Sequence, residues 1–215
     1  MRSLVLKDLY NVGHNAKSMI LILAVLAAFL VPTSGVSGYI IASALLCSMM
    51  TVTTFSFDDQ SKWTRYAMIM PVSKRDLVIG KFLMLTIFCV IGSLSGFVVG
   101  SAVGIILKKV ALDPEGIVEL LFFTLVAFAM SLIFGSISVP LVFKFGAEKG
   151  RILLLVSFLI PAAIGFGIYQ LLKLLGVDLT EQLIFVLICC SPVIAFVWCY
   201  IMYKISYWIF AKQEL

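Results

Sequence analysis

Residues 18–57 read SMILILAVLAAFLVPTSGVSGYIIASALLCSMMTVTTFSF, 40 consecutive positions without aspartate, glutamate, lysine or arginine. A helix crosses the hydrocarbon core of a bilayer with about 20 apolar residues, so this run is long enough for two crossings. Between them lies Pro32-Thr33-Ser34-Gly35, where proline removes a helical hydrogen bond and glycine admits the backbone of a turn. The run is therefore expected to double back on itself, with lipid as the solvent for most of its side chains.

Four more charge-free intervals follow, at 82–107 (26 residues), 120–143 (24), 152–172 (21) and 183–203 (21). Of the 215 residues 62% are hydrophobic and 13% charged, against about 45–50% and about 25% in a soluble domain. A soluble fold is excluded, because so apolar a chain lacks the polar surface to enclose its core. The expected fold is an all-α polytopic membrane protein forming one domain over 1–215. Its six spans fall near 18–33, 37–57, 77–107, 117–143, 152–172 and 183–205. Helices are preferred to a membrane barrel because barrel strands alternate over about ten residues and these runs do not.

Six spans place the termini and two connections on one side, and 13 of the 16 lysines and arginines fall there. The bias of positive residues toward the cytoplasm then puts both termini inside the cell. The net charge of +5 follows from that topology and gives no reason to expect a nucleic-acid partner. A cleaved signal peptide fits the start poorly, since the positive region runs on to Lys17 and a second apolar run follows at once. Residues 1–17 read instead as an interfacial helix, with Val5, Leu9 and Val12 on the apolar side and Arg2, Lys7, Asp8 and Asn11 on the polar one.

What the sequence lacks limits its chemistry. His14 is the single histidine and lies outside the spans, so neither a zinc protease nor a serine intramembrane protease can be assembled. Cys47, Cys89, Cys189, Cys190 and Cys199 fall inside spans without C-x-x-C spacing and read as small buried apolar residues. No phosphate-binding loop is present, since Gly80-Lys81 has no glycine five residues upstream of Gly80. No ionisable residue is expected deep within a span, which disfavours a gradient-driven carrier, although a sodium site of carbonyls and hydroxyls stays open. No catalytic residue, metal site or cofactor is expected on this chain.

Two positive features stand out. Gly92, Gly96, Gly100 and Gly104 recur every fourth residue through the third span, forming a groove that admits another backbone. The groove serves packing within one subunit, a subunit interface or a flexible wall of a path. The other feature is Asp58-Asp59-Gln60-Ser61-Lys62-Trp63-Thr64-Arg65-Tyr66-Ala67-Met68-Ile69-Met70-Pro71. Here Asp59 or Ser61 can cap a short helix, Trp63, Tyr66, Ala67 and Met70 share a stripe, and Pro71 ends it. Ser73 and Asp76 form a capping-box-like start to the next span, and Asp113-Pro114 supplies an N-cap and first-turn proline for the fourth. The short helix either docks a partner or rests at the lipid interface.

The acidic pair, Lys62-Trp63, Tyr66, Met70-Pro71-Val72-Ser73, Lys74-Arg75 and Gly80-Lys81 resemble the type-2 family of ABC transporter permeases. They are most similar to small bacterial members that include exporters of phenol-soluble-modulin-type peptides. The resemblance implies a subunit of the bacterial cell membrane that is not itself an enzyme. Its loop at 58–76 would carry a coupling helix, with Asp58, Asp59, Lys62, Trp63, Arg65 and Tyr66 docking a P-loop ATPase present in two copies. The loop at 144–151, with Lys144, Glu148, Lys149 and Arg151, would make a second contact. ATP and Mg would be held by that ATPase, a second permease subunit, identical or related, would complete the path, and the substrate would be a hydrophobic or amphipathic peptide. Two other classes remain: a secondary carrier or channel, and a non-transporting scaffold or immunity protein. The loops at 108–119 and 173–182 simply connect spans.

Overall fold

A computed structural model describes residues 2–14, 16–69, 73–107, 113–174 and 181–212. The chain forms α1 (Arg2–His14), α2 (Ala16–Gln60), α3 (Trp63–Ile69), α4 (Lys74–Ile106), α5 (Pro114–Leu174) and α6 (Glu181–Ala211). No strand occurs among the described residues. The helix starts follow from local chemistry: the Ser73 hydroxyl accepts from the Asp76 amide at 3.1 Å to cap α4. Pro114 opens α5 where its missing N–H costs nothing.

Helix α2 is a hairpin. Gly35 has φ 82° and ψ 177°, a backbone region that a Cβ disfavours. The Tyr39 hydroxyl donates to the Leu23 carbonyl at 3.3 Å. In an unbroken helix those residues would stand about 24 Å apart at 1.5 Å per residue, so the arms 16–34 and 36–60 lie side by side. Ala27 and Val31 of the first arm share a buried cluster with Val36, Tyr39, Ile40 and Ala44 of the second. In α5, Gly146 (φ 81°, ψ 166°) makes a similar break between 114–145 and 147–174.

Among the described residues, four stretches are long and apolar enough to cross a membrane: Lys17–Gln60, Lys74–Ile106, Gly116–Ala147 and Ile188–Ala211. The first of these holds both arms of the α2 hairpin, which the sequence reads as two spans, and most side chains of the expected span at 152–172 lie outside the described residues. Proline at position 32 stays within the helical run, and the break falls three residues later at Gly35.

The arm 36–60, α4 and α5 form the centre of the bundle. A Cβ on Gly92 would lie 2.6 Å from Cys47 Cβ and 2.9 Å from Ala44 Cα. One on Gly96 would strike Ser43 Oγ and come 3.1 Å from Ile40 Cα, and one on Gly100 would meet Tyr39 and Val36. Partner numbers fall as glycine numbers rise, so the two helices are antiparallel and the groove is filled by this chain's own α2. The Ser43 hydroxyl crosses the seam to the Gly92 carbonyl at 3.1 Å, and Gly104 is also buried. Helix α6 joins through Ala195 and Phe210, which pack in one cluster with Phe82, Leu132 and Val142.

Helix α1 corrects the sequence expectation. Leu4 Cβ lies 3.8 Å from where a Cβ on Gly80 would stand, Asp8 pairs with Lys81, and Val12 packs with Met84 and Phe88. Both sets of numbers rise together, so α1 lies along the start of α4 in the same direction. Asp8, expected on the polar side, is 4% exposed, while Leu6, Leu9 and Tyr10 point outward. Val5 and Val12 face inward as expected, and the charged partner on α4 draws Asp8 in with them.

The outer faces are apolar over large areas. Ile20, Leu21, Val25 and Phe29 of α2, and Val193, Phe196, Val197 and Trp208 of α6, are exposed. Patches of this extent on one chain mark contact with lipid or another apolar partner.

Replacing Gly96 with leucine should cost about 3 kcal/mol or more, because the side chain must displace Ser43 and the α2 backbone. Replacing Gly165, which has nothing within 4 Å of its Cβ position, with alanine should be neutral or stabilising by about 0.5–1 kcal/mol. Thermal unfolding in detergent checks both, and equal behaviour of the two variants would refute the groove.

Candidate functional site

Four charged side chains meet at the end of the bundle where α1, α2 and α4 converge. Lys81 Nζ lies 2.8 Å from Asp8 Oδ2, 2.6 Å from Asp58 Oδ2 and 3.1 Å from Thr54 Oγ1. Lys7 Nζ pairs with Asp58 Oδ1 and lies 3.3 Å from Asp8 Oδ1. The charges alternate around a ring, cation to anion to cation to anion, with no net charge. Asp8, Asp58 and Lys81 are each at most 8% exposed, so the ring is buried and each ion relies on its neighbours to replace lost hydration. Aromatic faces complete the enclosure: Lys81 stands 4.8 Å from the Phe55 ring centroid and Lys7 stands 4.5 Å from that of Trp63.

Beside the ring, α3 sits between the ends of α2 and α4. Lys62 turns the chain with φ 51°, in the left-handed region usual just after a helix C-terminus. Ala67 is buried, whereas Tyr66 and Ile69 are 57% and 84% exposed. The expected capping of α3 by Asp59 or Ser61 does not occur. The Ser61 hydroxyl donates back to the Phe57 carbonyl at 2.8 Å. Asp59 Oδ2 accepts from the Ala147 amide at 3.0 Å, capping the segment that starts after Gly146 with a carboxylate from another helix.

That bond closes one side of a cleft of about 540 Å³ lined by Ser56, Asp59, Gln60, Phe145, Ala147 and Lys149. The two turns read from sequence as separate cytosolic contacts are thus neighbours. The end of α6 lies at the same pole, since Lys74 Nζ donates to the Ala211 carbonyl at 3.3 Å. The N-terminal helix, α3, the turn at Gly146 and the end of α6 therefore share one pole of the bundle.

The sequence-derived residues divide accordingly. Lys62, Tyr66, Lys144 and Lys149 are exposed, and Lys144 lies over the Phe145 ring at 5.2 Å. Trp63 is partly buried against Lys7. Asp58 is withdrawn from the surface into the ring, which removes it from any docking face. The side chains of Arg65, Glu148 and Arg151, and residues Met70 and Pro71, lie outside the described residues. Sequence reading missed Lys7, Asp8, Thr54 and Lys81 as a group. Two signals were present: a lysine seven residues inside α4, and an aspartate interrupting the Leu4, Val12 stripe of α1.

Replacing Lys81 with methionine leaves two buried carboxylates facing one cation, and should destabilise the fold by about 3–5 kcal/mol. Adding Asp8→Asn leaves Lys7 paired with Asp58 and should recover more than half of that loss. Thermal unfolding of the single and double variants measures the non-additivity, and simple addition of the two losses would disprove a coupled ring.

No curated protein matches this chain. A family model described as ABC-2 family transporter protein matches residues 3–211. Nearly the whole bundle, from α1 to the end of α6, is therefore covered. With a match over that extent, the chain belongs to the ABC-2 family of transporter proteins, a component of membrane transport.

Proposed function

We propose that this chain is the permease subunit of an ATP-driven exporter, crossing the bilayer six times, with the charged pole in the cytoplasm of a bacterial cell. On this reading each arm of the α2 hairpin and each side of the Gly146 break is one crossing, joining α4 and α6. Thirteen positive residues on one side support the orientation.

A separate P-loop ATPase, in two copies, supplies the energy and holds ATP and Mg. The observation that carries the docking assignment is the exposed pair Tyr66 and Ile69 on α3, a helix that begins three residues after Gln60 of the cleft between Asp59 and Lys149. A short helix hung between two long ones, at the same pole as a groove with both an anion and a cation, offers an apolar anchor and charged edges to a partner. Movement of that partner displaces the end of α2 and the start of α4 together, and so reorients the bundle. A second permease subunit, identical or related, completes the path. The cargo class, a hydrophobic or amphipathic peptide, rests on the resemblance at residues 58–82.

Affinity capture of the chain should yield its ATPase in a stable four-subunit complex. Tyr66→Ala with Lys149→Glu should weaken that complex by about tenfold or more, equivalent to about 1.4 kcal/mol, and lower transport-coupled hydrolysis with it. Unchanged assembly and coupling would overturn the docking assignment. Vesicles containing only this chain should not accumulate solute uphill, and uphill accumulation would sink the energising role given to the ATPase.

A further inference from the structure

We infer that Lys7 is a positioning residue, tying α3 to the N-terminal helix so that α1, α3 and the first turns of α4 move as one body. The inference rests on the reading that α3 receives the ATPase.

Helix α3 has seven residues, too few to be stable by itself, so its placement depends on what it touches. Ala67 is buried, and Trp63, its first residue, lies under the Lys7 ammonium. That ammonium is fixed in turn by Asp58 at the end of α2 and Asp8 on its own helix. Asp8 is held by Lys81 of α4. A push on α3 therefore has three routes into the bundle. Two are the covalent connections to α2 and to α4. The third runs from Trp63 to Lys7, along α1, and through Asp8 and the Leu4 and Val12 contacts into α4. This gives α1 a task that its seating on α4, with its outer face exposed, does not explain otherwise.

The geometry provides a direct test of rigidity. The 3.8 Å between Leu4 Cβ and the Cβ position of Gly80 matches the separation across a disulfide, about 3.8 Å. Leu4→Cys with Gly80→Cys should therefore cross-link on oxidation, and the oxidised complex should keep its transport-coupled hydrolysis. A loss of coupling restored by reductant would overturn the one-body claim.

Positioning by Lys7 is tested separately in the purified complex with its ATPase and ATP. Lys7→Met should leave assembly within about twofold of wild type yet lower coupled hydrolysis by about tenfold, and Lys7→Arg should restore most of it. Cross-linking of the cysteine pair in the Lys7→Met background reports whether α1 is still seated. If Lys7→Met fails to fold, the charge-balanced Lys7→Met with Asp8→Asn keeps Lys81 paired with Asp58 and should show the same uncoupling. Wild-type coupling in either variant, or equal losses of assembly and coupling, would overturn the assignment. Failure of the docking reading has a different signature: assembly indifferent to Tyr66→Ala with Lys149→Glu, whatever Lys7 does.

Discussion

An ammonium buried about 10 Å along α4 from its first residue is costly to desolvate unless anions are brought to it. Lys81 obtains them from two other helices, Asp8 of α1 and Asp58 of α2, and those carboxylates require the second cation, Lys7. The requirement fixes more than one contact. It draws Asp8 of α1 inward, draws Asp58 off the surface, and brings the end of α2 to the start of α4. It also leaves Lys7 over Trp63, where α3 begins. Breaking such a ring at one member strands a buried charge, so its parts are coupled far more strongly than exposed ion pairs would be.

Above the ring, shape takes over from charge. The glycines of α4 let α2 approach until its Cα atoms lie where a side chain would otherwise stand. In a lipid environment, where apolar side chains gain little by leaving the solvent for one another, close packing is what holds helices together. The two hinges show the same economy. Gly35 and Gly146 each redirect the chain with a single residue at positive φ. The cap that Asp59 gives Ala147 then joins the two turns at the charged pole.

Much of this was legible in the sequence for physical reasons. Charge-free length reports lipid burial directly, four-residue glycine spacing reports close approach, and Ser73 with Asp76 reports a helix start, since each effect acts within a few residues of its cause. The ring was not legible. A helical wheel sends Asp8 outward with Lys7 and Asn11, and only the presence of Lys81 across the interface reverses it. Asp59 and Ser61 suit a local cap equally well by composition, yet one bonds a segment 88 residues away and the other bonds its own helix.

The distribution of hydrogen bonds bears on how such a bundle moves. Buried hydroxyls mostly satisfy themselves within their own helix: Thr54 on Thr51, Ser93 on Val90, Ser131 on Phe128, Ser138 on Gly135 and Ser206 on Met202. Ser43 on Gly92, Thr54 with Lys81 and Tyr39 on Leu23 cross between helices or arms. Hydroxyls bonded within their own helix add little resistance to sliding or tilting, while the ion ring resists separation at one pole. A bundle pinned by charge at one pole and joined elsewhere by shape is suited to pivot about the pinned end. In such a lever, any displacement near the pinned end grows with distance along the helices.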